Sequence, residues 1–473
     1  MSEQQTGWSA LLSGKSGILS LTLAGGVALH AVNVYIVVTI LPSLVRDIGG
    51  ENYYSWAATV FITASLVGAS IVSQVLTHIG PRLTYIIAAL VFSLGTFGCG
   101  YAASMPVFLL ARLVQGFGGG LLLSLTYSMV RIVFERPLWP RAMGLISGMW
   151  GISTLFGPAI GGIFAEYDLW RASFWLVGCL AVIFSIIAFA VLPRQTERTE
   201  KSDNSLPLLQ LALLTALVLV ISTGSAMEPT WAKIAGLLIG FLLLLLLALV
   251  DGQARHRILP QGSFSPKSIF FSIYIIILIQ MTVVNGAELY LPLFLQNLHG
   301  LGPLLAGYLA SLMSIGWTCG SVPSSGIDTR RLPYIIMLSP LLCLAGMVVL
   351  FFLIPGHMAS AYFLTFISIA LLIIGIGSGI IWPHLLTRIL QYAHNEDADL
   401  ASASLTSVQL FGAALSAALA GMVANLAGLN NPGGTEGAMR AATMLFVFFI
   451  ALLIAGLPYT RRITRTVKDE ERS

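Results

Sequence analysis

Charge is what this sequence has least of: 9% of its 473 residues are Asp, Glu, Lys or Arg, against 57% apolar. Ordinary soluble domains carry roughly a quarter charged residues. A water-exposed globule of this length is therefore excluded, and most soluble enzymes and scaffolds with it. Cysteine is nearly as scarce. Cys99, Cys179, Cys319 and Cys343 all fall inside apolar runs without metal-ligand spacing, which makes them packing residues. There is no His-Glu-x-x-His and no Gly-x-Ser-x-Gly. Ser9-Ala10-Leu11-Leu12-Ser13-Gly14-Lys15-Ser16 matches a phosphate loop only at its end, lacking the first glycine. Neither an intramembrane hydrolase nor an ATP-driven pump has its machinery here, so the chain is read as a non-enzyme without metal or cofactor. A net charge of +4, dispersed along the chain, gives nucleic acid nothing to hold.

What the sequence has instead is long apolar runs. A hydrocarbon core needs about 20 apolar residues per helix, and fourteen runs qualify, near 17–41, 56–79, 82–103, 106–130, 142–165, 172–192, 207–226, 231–250, 268–291, 303–326, 332–354, 358–383, 400–428 and 437–457. The fold class is thus an all-α polytopic membrane protein. The first run is too long for the core of a signal peptide and is expected to remain as span one. Cytoplasmic loops keep Lys and Arg, and alternate loops here divide them unequally. Nineteen fall on one side, including Lys15, Arg82, Arg331, Arg388 and the Arg461–Arg472 tail, while Arg46, Arg171, Lys233 and Arg440 fall on the other and Arg112 lies inside span four. Both termini are expected to be cytoplasmic. The short outer loops and the absence of Asn-x-Ser/Thr agree with a bacterial cytoplasmic membrane.

The chain repeats itself. Arg82-Leu83-Thr84-Tyr85-Ile86-Ile87 recurs as Arg331-Leu332-Pro333-Tyr334-Ile335-Ile336, Leu41-Pro42 as Leu291-Pro292, and Gly116, Gly118, Gly120 more loosely as Gly375, Gly377, Gly379. The offset implies two parallel six-helix bundles, residues 1–205 and 263–473 with its cytoplasmic tail, and an inserted two-helix pair over 206–262.

Ionisable residues inside spans are the informative ones, because placing them there is costly. Glu288 is the only carboxylate firmly within the membrane. It lies in the outer third of span nine, with Asn285 one turn away on the same face. Such a carboxyl is neutralised by a proton, a partner or a substrate, which makes it the natural proton-coupling candidate. The competing reading is a hydrated or structurally paired Glu288 near the outer interface. Arg112 opens span four with Gln115 one turn on and Gly116 beyond it. His30 in span one is either a protonatable group or a hydrogen-bonded structural residue, and His384 is read as structural. Asn33, Gln115, Gln280 and Asn285 are candidate cavity residues. Tyr127, Trp150 and Trp317, with Tyr35 and Tyr290, suit either an aromatic lining for cationic amphiphiles or plain packing.

Arg112-x-x-Gln115-Gly116-x-Gly118 resembles the fourth-span signature of the major facilitator superfamily, and Gly157-Pro158-Ala159-Ile160-Gly161-Gly162 resembles the Gly-Pro-x-x-Gly-Gly motif of its antiporters. With fourteen spans, Leu41-Pro42-Ser43-Leu44-Val45-Arg46-Asp47 after span one, and Trp170-Arg171 before span six, the chain resembles the 14-helix drug:proton antiporter branch. Two positions depart. Asn33 stands where that branch has an Asp, with His30 one turn away to supply a protonatable group. The loop after span two keeps Gly80 and Arg82 but has Thr77 where the branch has an acidic latch residue.

The resemblance implies a secondary active exporter that exchanges small amphipathic or cationic compounds for protons by alternating access, as a monomer in the lipid bilayer. Glu288 and His30 would couple protons. Arg112, Gly80, Arg82, Gly116, Gly157, Pro158, Gly161 and Gly162 would gate, and spans one, four, five, nine, ten and thirteen would line the cavity. The alternative is a dedicated metabolite, siderophore or lipid-like carrier without conventional proton coupling.

Overall fold

The computed structural model describes residues 11–135, 138–194, 207–254, 257–324, 327, 329–356, 361–392 and 398–472. All regular structure among them is helical. The helices are α1 Gly14–Ile48, α2 Trp56–Gly100, α3 Met105–Val133, α4 Trp139–Glu166, α5 Trp170–Val191, α6 Leu208–Ala226, α7 Thr230–Gln253, α8 Ile269–His299, α9 Pro303–Ser324, α10 Leu332–Leu353, α11 Ala361–Tyr392, α12 Ala398–Leu426 and α13 Gly434–Arg472. They supply 14 candidate spans, because α2 holds most of Glu51–Val72 and all of His78–Gly100, the second of which carries the break at Gly80 near its start. Gly80 has φ 79°, a left-handed conformation that suits glycine, and Pro81 behind it cannot continue the first ladder. Pro at the first turn starts α3, α4 and α10, where its missing N–H costs nothing. Gly300 ends α8 at φ 65°, returning its N–H to Gln296.

Several helices run past their apolar cores. Arg46 and Asp47 are still helical in α1, and α13 continues through the basic tail to Arg472. Their end positions follow from hydrogen bonding and packing, which the lengths of uncharged runs do not register.

The chain divides into two compact units, one of Met1–Gly50 with Val60–Leu206 and one of Glu51–Thr59 with Pro207–Ser473. In the first, α1 packs on α3, α4 and α5. Gly157 of α4 faces Tyr35 Cβ and Gly161 faces the backbone of Ile36, so these helices touch almost main chain to main chain. In the second, α11 lies between α9 and α10, while α8 packs on α12 and α13. The α6–α7 pair crosses at Gly224 and Gly236 and rests on α12. Lys233 Nζ donates to Asn425 O at 3.0 Å and Asn425 Nδ2 to Ser225 O at 2.9 Å, so the pair is tied to that helix at one end.

The glycine runs repeat in three dimensions. In α3, Gly116 and Gly120 leave no room for a Cβ against the backbone of Phe61 and Ser65, and Gly118 none against Phe92. In α11, Gly375 and Gly379 do the same against Met313 and Trp317, and Gly377 against Cys343. Outer glycines one turn apart meet one neighbour while the middle glycine meets another, in both units. Large apolar side chains such as Leu238, Phe241 and Leu249 of α7 are more than half exposed, which lipid tolerates and water would not.

Candidate functional site

Hydrocarbon offers polar groups no partners, so those inside the spans gather with one another. In the first unit they gather around Gln115. Arg112 Nη1 donates to Gln115 Oε1 at 2.6 Å, and Gln115 Nε2 donates to Asn33 Oδ1 at 3.0 Å and Thr96 Oγ1 at 2.9 Å. Cys99 Sγ approaches the same Oε1 at 3.7 Å. Three helices are joined this way. Arg112 is 1% exposed and Gln115 and Asn33 are fully buried, so the guanidinium is a desolvated cation. It also lies 4.0 Å above the Phe61 ring, whose face compensates part of the lost hydration.

His30 lies one turn before Asn33, with ring centroids 5.2 Å from Phe61 and 6.0 Å from Trp150, against Gly119. His30 faces the backbone of Gly119, and Asn33 Nδ2 is buried with no hydrogen-bond partner among the described residues. Two buried polar groups a turn apart on α1, one of them unpartnered among the described residues, are costly in a core. Trp150 approaches the Tyr127 phenol, and both rings are only partly buried.

The second unit has two separate polar groupings. Gln280 is 2% exposed; its Nε2 donates to Ser339 Oγ at 3.3 Å, and Cys343 Sγ donates to its Oε1 at 3.6 Å. It ties α8 to α10. Glu288 and Asn285 occupy another face of α8 and are partly exposed. Ser314 of α9 donates to Glu288 Oε1 at 3.1 Å, and Asn285 Nδ2 donates back to Met281 O at 2.9 Å. Trp317 follows Ser314 by one turn and meets Trp382 edge-on at 6.5 Å. Carboxylate, amide and hydroxyl thus lie on partly open faces of α8 and α9, with the Trp317 indole a turn beyond Ser314 and against Trp382 of α11. Of the four candidate amides only Asn285 lies on such a face; Asn33, Gln115 and Gln280 are buried in helix interfaces.

The candidate gating residues are placed differently. Arg82 Nε donates to Leu192 O at 2.6 Å and its guanidinium lies 5.6 Å from the Phe189 ring, fastening the second half of α2 to the end of α5. The Thr77 side chain lies outside the described residues. Gly162 is buried and Pro158 interrupts α4 from within. His384 is half-buried, its Nε2 without a hydrogen-bond partner among the described residues. Asp47 accepts from Arg171 and from Trp170 Nε1, which joins two motifs that lie far apart in sequence.

Thr96, Ser314 and Ser339 do not announce themselves in the sequence, since a hydroxyl in a span ordinarily bonds its own helix. The spacing of Ser314 and Trp317 on one face was the available signal. Asp251, assigned beyond the end of span eight, is 3% exposed and accepts from Ile258 N at 2.8 Å, closing the turn after α7. No grouping of His, Cys, Asp and Glu among the described residues could hold a metal.

The family model of the Major Facilitator Superfamily matches residues 23–417. A protein described as a probable multidrug-efflux transporter of Mycobacterium tuberculosis is 34% identical over 97% of each chain. A multidrug efflux pump of Staphylococcus aureus is 27% identical over 61% of this chain and 64% of that protein. Among solved structures, a bacterial homologue of the human lysosomal transporter Spinster superposes with a TM-score of 0.66 at 14% identity, covering 96% of this chain and 98% of the other. A D-xylose–proton symporter follows at 0.61 and 14%, over 95% and 99%. These two likenesses concern the fold. The chain belongs to the major facilitator superfamily, and is a multi-pass membrane transporter rather than an enzyme.

Proposed function

We propose that this chain is a proton-coupled exporter of small amphipathic or cationic compounds, an antiporter of the multidrug-efflux kind. It works as a monomer in the cytoplasmic membrane with both termini in the cytoplasm. The observation that carries this reading is Glu288, the carboxylate that shares a partly open face of α8 with Asn285 and is held by Ser314 beside Trp317. The multidrug-efflux description of relatives with full-length similarity supports the substrate class.

The chemistry follows from charge. An ionised Glu288 on a partly open face attracts a lipophilic cation. A proton delivered from outside neutralises the carboxyl, removes that attraction and favours release. His30 and Arg112 act in their own cluster, His30 as a second protonatable group and Arg112 as the fixed charge around which amides reorganise. In this scheme residues 1–205 and 263–473 are the moving halves, with the inserted pair over 206–262 between them in sequence.

The test is full-length protein in liposomes containing a pH-sensitive dye, with an imposed proton gradient and a panel of lipophilic cations. Wild type should move protons when a cation is added, and a correctly inserted Glu288→Gln should not. Equal proton movement in both proteins would remove Glu288 from the mechanism.

One observation favours a second reading. Asn33, the position at which the resembling branch carries an acid, is engaged by Gln115 as a neutral amide. A dedicated carrier of a neutral or anionic metabolite would need no carboxylate there. Proton-independent counterflow of one chemical family, with no response to unrelated cations, would establish it.

A further inference from the structure

The tail of α13 is a helix with two unlike faces. Ile463 and Val467, 1% and 0% exposed, sit in one core cluster with Phe270, Ile273, Leu332 and Ile389. Arg462 donates to the carbonyl oxygens of Pro266 and Lys267, which fixes the roll of the helix about its axis. The outward face is therefore determined. Arg461, Arg465 and Lys468 follow one another at helical spacing, opposite Ile463 and Val467, and all three are exposed. Lys468 Nζ stands 5.5 Å over the ring of Tyr334, which is 71% exposed, and Arg331 is exposed at the turn before it. Arg461 to Lys468 spans about 10 Å along the axis.

The order of charges matters as much as their number. The cations come immediately after the apolar span, and the carboxylates of Asp469, Glu470 and Glu471 only beyond them. Positive charge at the end of a spanning helix, beside an exposed tyrosine, stands at headgroup level. Because the helix is docked, the cations are presented without the ordering cost of a floppy tail.

We propose that Arg461, Arg465 and Lys468, with Arg331 and Tyr334, form a binding surface for the headgroups of anionic phospholipids. The face recognises phosphate-bearing lipid in the adjoining leaflet, and the lipid in turn braces the docked tail of α13.

The experiment reconstitutes the full-length protein in phosphatidylcholine bilayers and measures selectivity for spin-labelled phosphatidylglycerol over spin-labelled phosphatidylcholine. Wild type should prefer the anionic lipid by at least about threefold, falling toward unity in about 0.5 M salt. The triple variant Arg461→Gln, Arg465→Gln, Lys468→Gln should lose most of that preference while its thermal unfolding in neutral lipid is unchanged. Arg440→Gln, at the other end of α13, should keep it. Unchanged selectivity in the folded triple variant, or an equal loss in Arg440→Gln, overturns the proposal. The labelled lipid is present in both leaflets, so the result does not depend on the direction of insertion or on what is transported.

Discussion

Gln115 joins Asn33 to Arg112: its Nε2 donates to the Asn33 oxygen at 3.0 Å while its own oxygen accepts from the guanidinium at 2.6 Å. A neutral amide on α1 is therefore one link from a buried cation, and Gln115 is the member bonded to both. Replacing it should be worse than replacing Asn33. Gln115→Leu removes the bond that Arg112 makes to its oxygen together with those to Asn33 and Thr96, and should cost about 3 kcal/mol or more. Asn33→Leu leaves Gln115 still bonded to Thr96 and should cost about 1–3 kcal/mol. Thermal unfolding of the two variants in one lipid or detergent decides it; equal losses would mean that Gln115 is not the hub.

The glycine contacts predict a contrast between positions of the same residue type. Gly120→Ala and Gly375→Ala put a methyl group into the backbone of Ser65 and Met313, so each should lower stability by about 1–3 kcal/mol or prevent insertion. At Gly148 and Gly151 a Cβ meets no described atom within 4 Å, and alanine there should be neutral or stabilising by up to about 1 kcal/mol. Unfolding midpoints of the four variants, compared in one detergent, are the measurement.

Pro158 removes a ladder bond inside α4. Pro158→Ala should restore it, leaving thermal stability equal or higher, and should slow substrate efflux in liposomes several-fold if bending there accompanies transport. Efflux at the wild-type rate would show that the interruption is only tolerated.

Ser314 gives Glu288 its hydroxyl partner. If Glu288 couples protons as proposed, Ser314→Ala should depress transport about tenfold, on the scale of one charge-assisted hydrogen bond, whereas Ser314→Thr should keep most of it. Side-by-side initial rates at saturating substrate separate this from loss of the protein, and equal rates in Ala and Thr would detach Ser314 from the carboxylate's role.

Much of this molecule could be read from the sequence because lipid enforces simple rules. Fourteen uncharged runs became fourteen spans, since a spanning segment must be both apolar and helical. The motif Arg112-x-x-Gln115 resolved into a direct bond, because residues three apart share a helix face. Contacts between distant helices were less legible. Thr96 at Gln115, Ser339 at Gln280 and Ser314 at Glu288 depend on which faces meet, and apolar spans carry little periodic signal to say so. The burial of Asp251 was hidden for a related reason: its partner is the Ile258 N–H, and a backbone group has no letter in the sequence.

The tight glycine contacts also bear on compliance. Where main chain rests on main chain, as at Gly120 with Ser65 and at Gly375 with Met313, there is no side chain to re-rotamerise and no slack to absorb strain. Each such seam behaves as a weld. Within α4 no described atom lies within 4 Å of a Cβ placed at Gly148 or Gly151, two turns before Pro158, so among the described residues that stretch carries no such weld. A unit built in this way would move as a stiff body, with its compliance gathered in one stretch of one helix.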